Sequence, residues 1–194
     1  FHQRMINFQD IPNITFQNKY QAKETVDSSN VASMIQTHSD NVIEVNKDGT
    51  YKADGLITSV ENLKLVVLTA DCMPVILIDN SKVGAIHIGW KGLENKIFYK
   101  ALKYFDKNQL QVFIGPYAKN CCYEIQSDLQ DKFPKYTMTN DKKLYLDLSK
   151  EIYNFCTEND IQIKISDECT IHNESYNSYR RDKTSLRQGT FVWI

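Results

Sequence analysis

Two segments, LTADCMPVILID at residues 68–79 and GAIHIGWKG at residues 84–92, carry three reactive side chains inside runs that otherwise read as buried strand. The three are Asp71, Cys72 and His87. A thiol and an imidazole on neighbouring strands can do one of two jobs. The imidazole can serve as base to a thiolate nucleophile. With a third ligand, the pair can instead hold a metal such as zinc, with thiolate at about 2.3 Å and imidazole at about 2.0 Å. Three protein ligands leave the fourth position for water or substrate, the arrangement of a catalytic site. Of the four histidines, His38 in QTHSDNV is the natural third candidate. Singly, these residues read as an inert core thiol, a satisfied core imidazole and a solvated loop histidine. The shared spacing makes the joint reading stronger than the separate ones.

The elements that must position them are legible from periodicity. Residues 63–69, 75–79 and 83–88 read as consecutive buried strands, short, β-branched and bounded by polar or Gly/Pro breaks. DNSK at 79–82 is a turn, so the last two should form a hairpin that brings Cys72 beside His87. Pro74, Gly84 and Gly89 flank the pair and keep a close backbone approach open. Over 93–105 the period changes, with Leu93, Ile97, Ala101 and Phe105 marking one helical stripe. A second helix is predicted over 147–159, with Asp147 as N-cap and Leu148, Ile152, Phe155 and Cys156 buried. Strands follow at 110–115, 161–165 and 190–194. The strand connections are too short for uniform βαβ winding. The expected fold is therefore α+β and layered, with mixed sheets flanked by helices, in one domain over residues 1–194.

Composition narrows the function classes. Lys and Arg number 23 against 24 Asp and Glu, a formal net charge of −1, which gives no basic footprint for nucleic acid. No apolar run reaches the length of a membrane span. The opening FHQRMINFQD lacks the charged and apolar regions of a signal peptide, and Met5 reads as a candidate native start, so a cytoplasmic location is expected. Five cysteines, an odd number with Cys121 and Cys122 adjacent and no C-x-x-C, make a poor disulfide framework. Apart from Cys72 they read as structural thiols.

The motifs QTHSDNV, DGLIT, LTADCMPVILID, GAIHIGWKGL, IGPYAKNCCYEI and SYRRDKTSLR occur in this order. In this they resemble the YfiH (DUF152) family, also called the multicopper polyphenol oxidase or laccase-domain family. The resemblance spans roughly residues 30–190. It implies a zinc-binding purine nucleoside enzyme that phosphorolyses adenosine, inosine and methylthioadenosine and deaminates adenosine. It also implies His38, Cys72 and His87 as the metal ligands. The implied fold is shared with the cytotoxic necrotising factor toxins, whose Cys and His form a deamidase pair, which keeps a Cys72/His87 amidohydrolase open. Some bacterial members are described as peptidoglycan-editing factors, a further alternative. Longer members carry an N-terminal segment with an Arg-Gly-Gly loop. Here 37 residues precede His38 and no such loop is visible, so segment 1–30 reads as shortened and the substrate contacts it supplies are expected to be missing.

The implied chemistry assigns roles. Zinc is the expected cofactor, with copper as its competitor on raw affinity. Asp71 and Glu124 are the candidate general acids, and Asp71 can instead orient an imidazole. Phosphorolysis needs cations for phosphate, offered by Lys91, Arg180, Arg181 and Arg187, with an arginine favoured for its bidentate fit. Tyr123 reads as packing. His172 is not expected among the ligands. Laccase chemistry fails on ligand count, since a trinuclear copper cluster plus an electron-transfer copper needs roughly ten histidines. The expected partners are a nucleoside and phosphate, with neither nucleic acid nor membrane.

Overall fold

A computed structural model describes residues 13–21 and 29–194. The expected shortened segment 1–30 therefore lies largely outside the described residues, as do Met5 and His2. The first strands are β1 (Ile14–Phe16), β2 (Val31–Met34), β3 (Val42–Glu44), β4 (Gly49–Tyr51) and β5 (Gly55–Thr58). They are followed by β6 (Lys64–Thr69), β7 (Met73–Ile78) and β8 (Val83–Ile88). Two short helices come next, α1 (Trp90–Glu94) and α2 (Ile97–Leu102), and then β9 (Gln111–Ile114) and β10 (Glu124–Ile125). The chain continues through α3 (Ser127–Lys132), β11 (Thr137–Asn140), β12 (Lys143–Leu146), α4 (Lys150–Glu158) and β13 (Gln162–Ile165). It closes with α5 (Tyr179–Asp182) and β14 (Gln188–Val192). No described helix is long and apolar enough to cross a membrane.

The strands form three sheets. A six-stranded sheet has the order β13-β9-β7-β8-β5-β3, a five-stranded sheet β1-β14-β6-β2-β4, and a small sheet β10-β12-β11. Parallel pairs such as β13 with β9 mix with antiparallel ones such as β7 with β8, giving the α+β architecture expected. The six-stranded sheet is apolar on both faces. Met73, Val75, Leu77, Ile86 and Ile88 pack under α1 and α2 with Leu93, Ile97 and Phe98. On the opposite face Leu56, Ile76, Ala85 and Phe113 meet Leu65, Val67, Ala32 and Val192 of the five-stranded sheet. Each fully buried Leu or Ile here contributes about 1.5–3 kcal/mol, which is why these strands read as near-continuous apolar runs.

The three strands expected at 63–69, 75–79 and 83–88 are present but fall in two sheets, β6 in the five-stranded one and β7 and β8 in the six-stranded one. The cause is the turn through Asp71, whose φ of 90° lets the chain leave one sheet and enter the other. Two helix expectations need correction. The helix over 93–105 is broken in two by Lys96 in the left-handed region, although its stripe from Leu93 to Phe105 is buried as predicted. The second helix starts later than expected, at Lys150 with Ser149 as N-cap, while the Asp147 carboxylate accepts the N–H and hydroxyl of Ser149 in the turn before it. The hairpin is present, with Pro74 opposite His87 and Met73 opposite Ile88.

Candidate metal centre

The β7–β8 register sets Cys72, one residue before β7, near His87 on β8. His38 reaches them from the loop after β2. Its Nε2 is 3.8 Å from Cys72 Sγ, and the two imidazole rings meet edge to face at 4.7 Å. One donor atom from each of the three residues lies within 4.8 Å of the others, close to the spacing that tetrahedral ligands of one ion require. Gly89 preserves this space: a Cβ there would meet Cys72 Sγ at 2.8 Å and His38 Cδ2 at 3.4 Å. Gly84 has a different job, since a Cβ there would strike Ile57 and Phe105 in the core.

Asp54 organises the trio. Fully buried just before β5, its carboxylate lies 2.7 Å from His87 Nδ1. It also accepts the backbone N–H groups of Thr37, His38 and Ser39 and the Ser39 hydroxyl. One side chain thus fixes the tautomer of His87, leaving Nε2 as its ligand nitrogen, and shapes the loop that presents His38. Asp54 is the functional residue that sequence reasoning missed, although it opens the quoted DGLIT motif. The role of imidazole orienter proposed for Asp71 belongs to Asp54.

The electrostatics follow from these contacts. Burial opposes charge on Cys72, but hydrogen bonding and charge from His38 and His87 outweigh it and bring the thiol down to about 6. Burial likewise opposes charge on His87, but Asp54 and Cys72 raise it to about 9. Burial opposes the Asp54 charge too, yet His87 and Ser39 hold its carboxyl well below the usual range. The soft and borderline donor set, one thiolate and two imidazoles, fits a zinc-class ion with an open position.

The trio opens onto a cavity of about 480 Å³. Three of the cations singled out from the sequence, Lys91, Arg180 and Arg187, line it. Aromatic surface comes from Trp90, Tyr123 and Tyr179. Arg180 stacks on the Tyr123 ring at 4.5 Å and donates to the Glu124 carbonyl at 2.6 Å. Arg187 is held by the carbonyls of Thr184 and Leu186. Desolvation keeps the Tyr123 phenol protonated up to about 12. Thr69 also lines the cavity, and its buried hydroxyl has no partner among the described residues.

Other candidates are placed elsewhere. Arg181 points away, its guanidinium spent on the carbonyls of Thr170, Ile171 and Tyr176 and on Asp182, so it braces its own loop. Glu124 does not line the cavity; its carboxylate pairs with Lys143 at 2.9 Å. Asp71 borders the cavity, but both its oxygens are committed, one to the Thr170 hydroxyl at 2.8 Å and one to the Arg180 N–H at 2.7 Å. It acts as an anchor for α5. His172 is exposed and stands apart from the ligand group.

Sheet order and ligand trio together define a class. The chain belongs to the family described as multi-copper polyphenol oxidoreductase laccase, whose model matches residues 5–194. Among its relatives is a protein of Aquifex aeolicus named purine nucleoside phosphorylase, 38% identical over 82% of this chain and 81% of that one. A protein of Clostridium acetobutylicum with the same activity in its name is 34% identical over 88% and 79%. The fold is similar to the crystal structure of the Bacillus licheniformis hypothetical protein YfiH, with TM-score 0.78, 26% identity and coverage of 91% and 79%. It is also similar to YlmD of Geobacillus stearothermophilus, with TM-score 0.75, 21% identity and coverage of 86% and 74%, a likeness of fold.

Proposed function

We propose that this chain is a zinc-dependent purine nucleoside phosphorylase acting on adenosine, inosine or methylthioadenosine. The observation that carries the reading is one cavity in which a Cys–His–His ligand set, three cations and three aromatic rings converge. The names of the Aquifex and Clostridium relatives point the same way.

His38, Cys72 and His87 would hold the zinc, with Asp54 orienting His87. When bound, zinc supplies Lewis acidity beside the cavity, and copper is the competing ion. The protein's own groups do the rest. Arg180, Arg187 and Lys91 gather inorganic phosphate and neutralise its charge, the arginines by paired N–H donors. The aromatic rings take the purine, and the Thr69 hydroxyl is free to bond a substrate hydroxyl. A phosphate oxygen then attacks C1′ of the ribose as the C1′–N9 bond breaks. The bond pair leaves with the purine, which takes up a proton, and ribose 1-phosphate remains. Tyr123, a protonated phenol lining the cavity, is a neutral donor available to the departing base.

Adenosine deamination at the same site would use the same ligand trio, with water in place of phosphate as the nucleophile at C6 and ammonia as the group expelled. A second reading rests on the lowered Cys72 thiol beside a protonated His87, the resting state of a cysteine amidohydrolase, with cell-wall amides as its candidate substrates. One experiment separates these readings: adenosine turnover with and without phosphate, on protein of counted metal content. Adenine and ribose 1-phosphate formed only with phosphate support the phosphorylase, and inosine formed without it supports the deaminase. Undiminished turnover after chelation overturns the metal-dependent reading and favours Cys72 as nucleophile.

A further inference from the structure

The sequence leaves Cys121, Cys122 and Cys169 as structural thiols, yet the fold gathers them. Cys121 and Cys122 sit in the turn that follows Ala118, where Cys122 and Tyr123 donate backbone N–H to the Lys119 carbonyl. Cys169 arrives from the loop after β13, aligned by a parallel bridge to Tyr117. The Sγ atoms of Cys121 and Cys122 are 3.1 Å apart, and all three sulfurs lie within 4.8 Å of one another. Cys121 is exposed, Cys122 half-buried and Cys169 buried, so the cluster opens to solvent on one side.

We infer that Cys121, Cys122 and Cys169 form a second metal site, distinct from the His38–Cys72–His87 trio, which takes one thiophilic cation of the Cu(I) class in three-sulfur coordination. Three observations carry this. A disulfide uses two sulfurs, whereas here three converge on one point. Three sulfurs bound to one ion at about 2.3 Å in a trigonal plane stand about 4.0 Å apart, within small side-chain adjustments of the observed cluster. The third observation is a backbone cradle: the Lys119 N–H points at Cys169 Sγ at 3.4 Å, the kind of N–H···S contact that supports a metal-bound thiolate.

Metal binding displaces the thiol protons to solvent. Among the described residues this ligand group numbers three, with no histidine or carboxylate completing a tetrahedron. Three soft sulfurs alone suit Cu(I) better than a zinc ion that prefers four ligands.

The test uses the full chain, reduced, and Cu(I) competed against bathocuproine disulfonate. A His38→Ala/His87→Ala protein isolates the cluster from the first site. It should retain about one equivalent of Cu(I), with X-ray absorption showing three sulfurs around the copper. Adding Cys121→Ser, an exposed and structurally mild change, should weaken that binding at least about tenfold. Cys169→Ser should do the same, with circular dichroism confirming the fold. Cu(I) binding that is indifferent to Cys121 and Cys169 overturns the inference. So does a copper environment with fewer than three sulfurs, or a Cys121–Cys122 disulfide that persists in reductant.

Discussion

The Asp54 carboxylate and the His87 imidazole meet at 2.7 Å, with Asp54 fully buried and His87 nearly so. The same carboxylate also gathers three consecutive backbone N–H groups under His38. The two histidines of the candidate metal centre are therefore tied to one acid, which does not line the cavity itself.

Replacing that acid gives the first prediction. Asp54→Asn should lower metal affinity about 10–100-fold and cost about 3 kcal/mol of stability in the metal-free protein. The sign of its pH dependence is set on both sides. Asp54 lies below its ordinary 3.8, so its contribution is present above that value and is lost as pH falls through the folded one. His87 lies at about 9 against 6.5, so its contribution is full below 6.5 and is lost as pH rises through 9. Denaturant unfolding of the wild type against the variant should show the largest gap between these windows. A gap that does not vary from pH 3 to pH 10 would sink the ion-pair assignment.

Adjacent arginines should separate cleanly. Arg180→Ala, which loses a cavity cation, should raise the KM for phosphate about tenfold, equivalent to about 1.4 kcal/mol, with little change in Tm. Arg181→Ala should leave that KM alone and cost about 2 kcal/mol of stability, because three backbone carbonyls lose their donor. Equal kinetic effects for the two would contradict the geometry.

In metal-free protein, alkylation of Cys72 by iodoacetamide should rise with a midpoint near pH 6 rather than at the ordinary 9. His87→Ala should return the midpoint toward 9. Metal-loaded protein should resist labelling at this position, read by peptide mass spectrometry. A wild-type midpoint at 8 or above would show that the imidazoles do not activate the thiol.

The ligands should differ in what they cost. His38 is exposed, so His38→Ala should abolish metal at the first site while moving stability by less than about 1 kcal/mol. His87→Ala should lose the same metal and also destabilise the fold by about 3 kcal/mol, because it leaves the Asp54 charge buried without its partner. Metal analysis beside thermal melts distinguishes the two. Both variants keeping full metal content would remove the site.

The hairpin that aligns Cys72 with His87 was readable because short apolar runs and the DNSK turn specify it locally. The sheet to which residues 64–69 belong was not, since the switch depends on one positive-φ residue, Asp71, and on the distant strand β14. The ligand trio could be proposed from residue types and spacing. Asp54 could not be told from a turn acid, because its five partners converge only in the folded chain. Likewise nothing in the pair Arg180–Arg181 says which side chain faces the cavity. The turn around Ser178, which bonds the Arg181 N–H, decides that.

The turn that carries Cys72 is held by Thr170 and Arg180, about a hundred positions later in the chain, and β6 leading into it pairs with β14 near the end. A chain still emerging from the ribosome at residue 150 can form the β7–β8 hairpin, but it lacks the groups that fix its reactive turn. Contacts of such long separation form late. The candidate ligand set is therefore complete in sequence by residue 87, yet the turn that holds Cys72 is braced only once the last twenty-five residues are available.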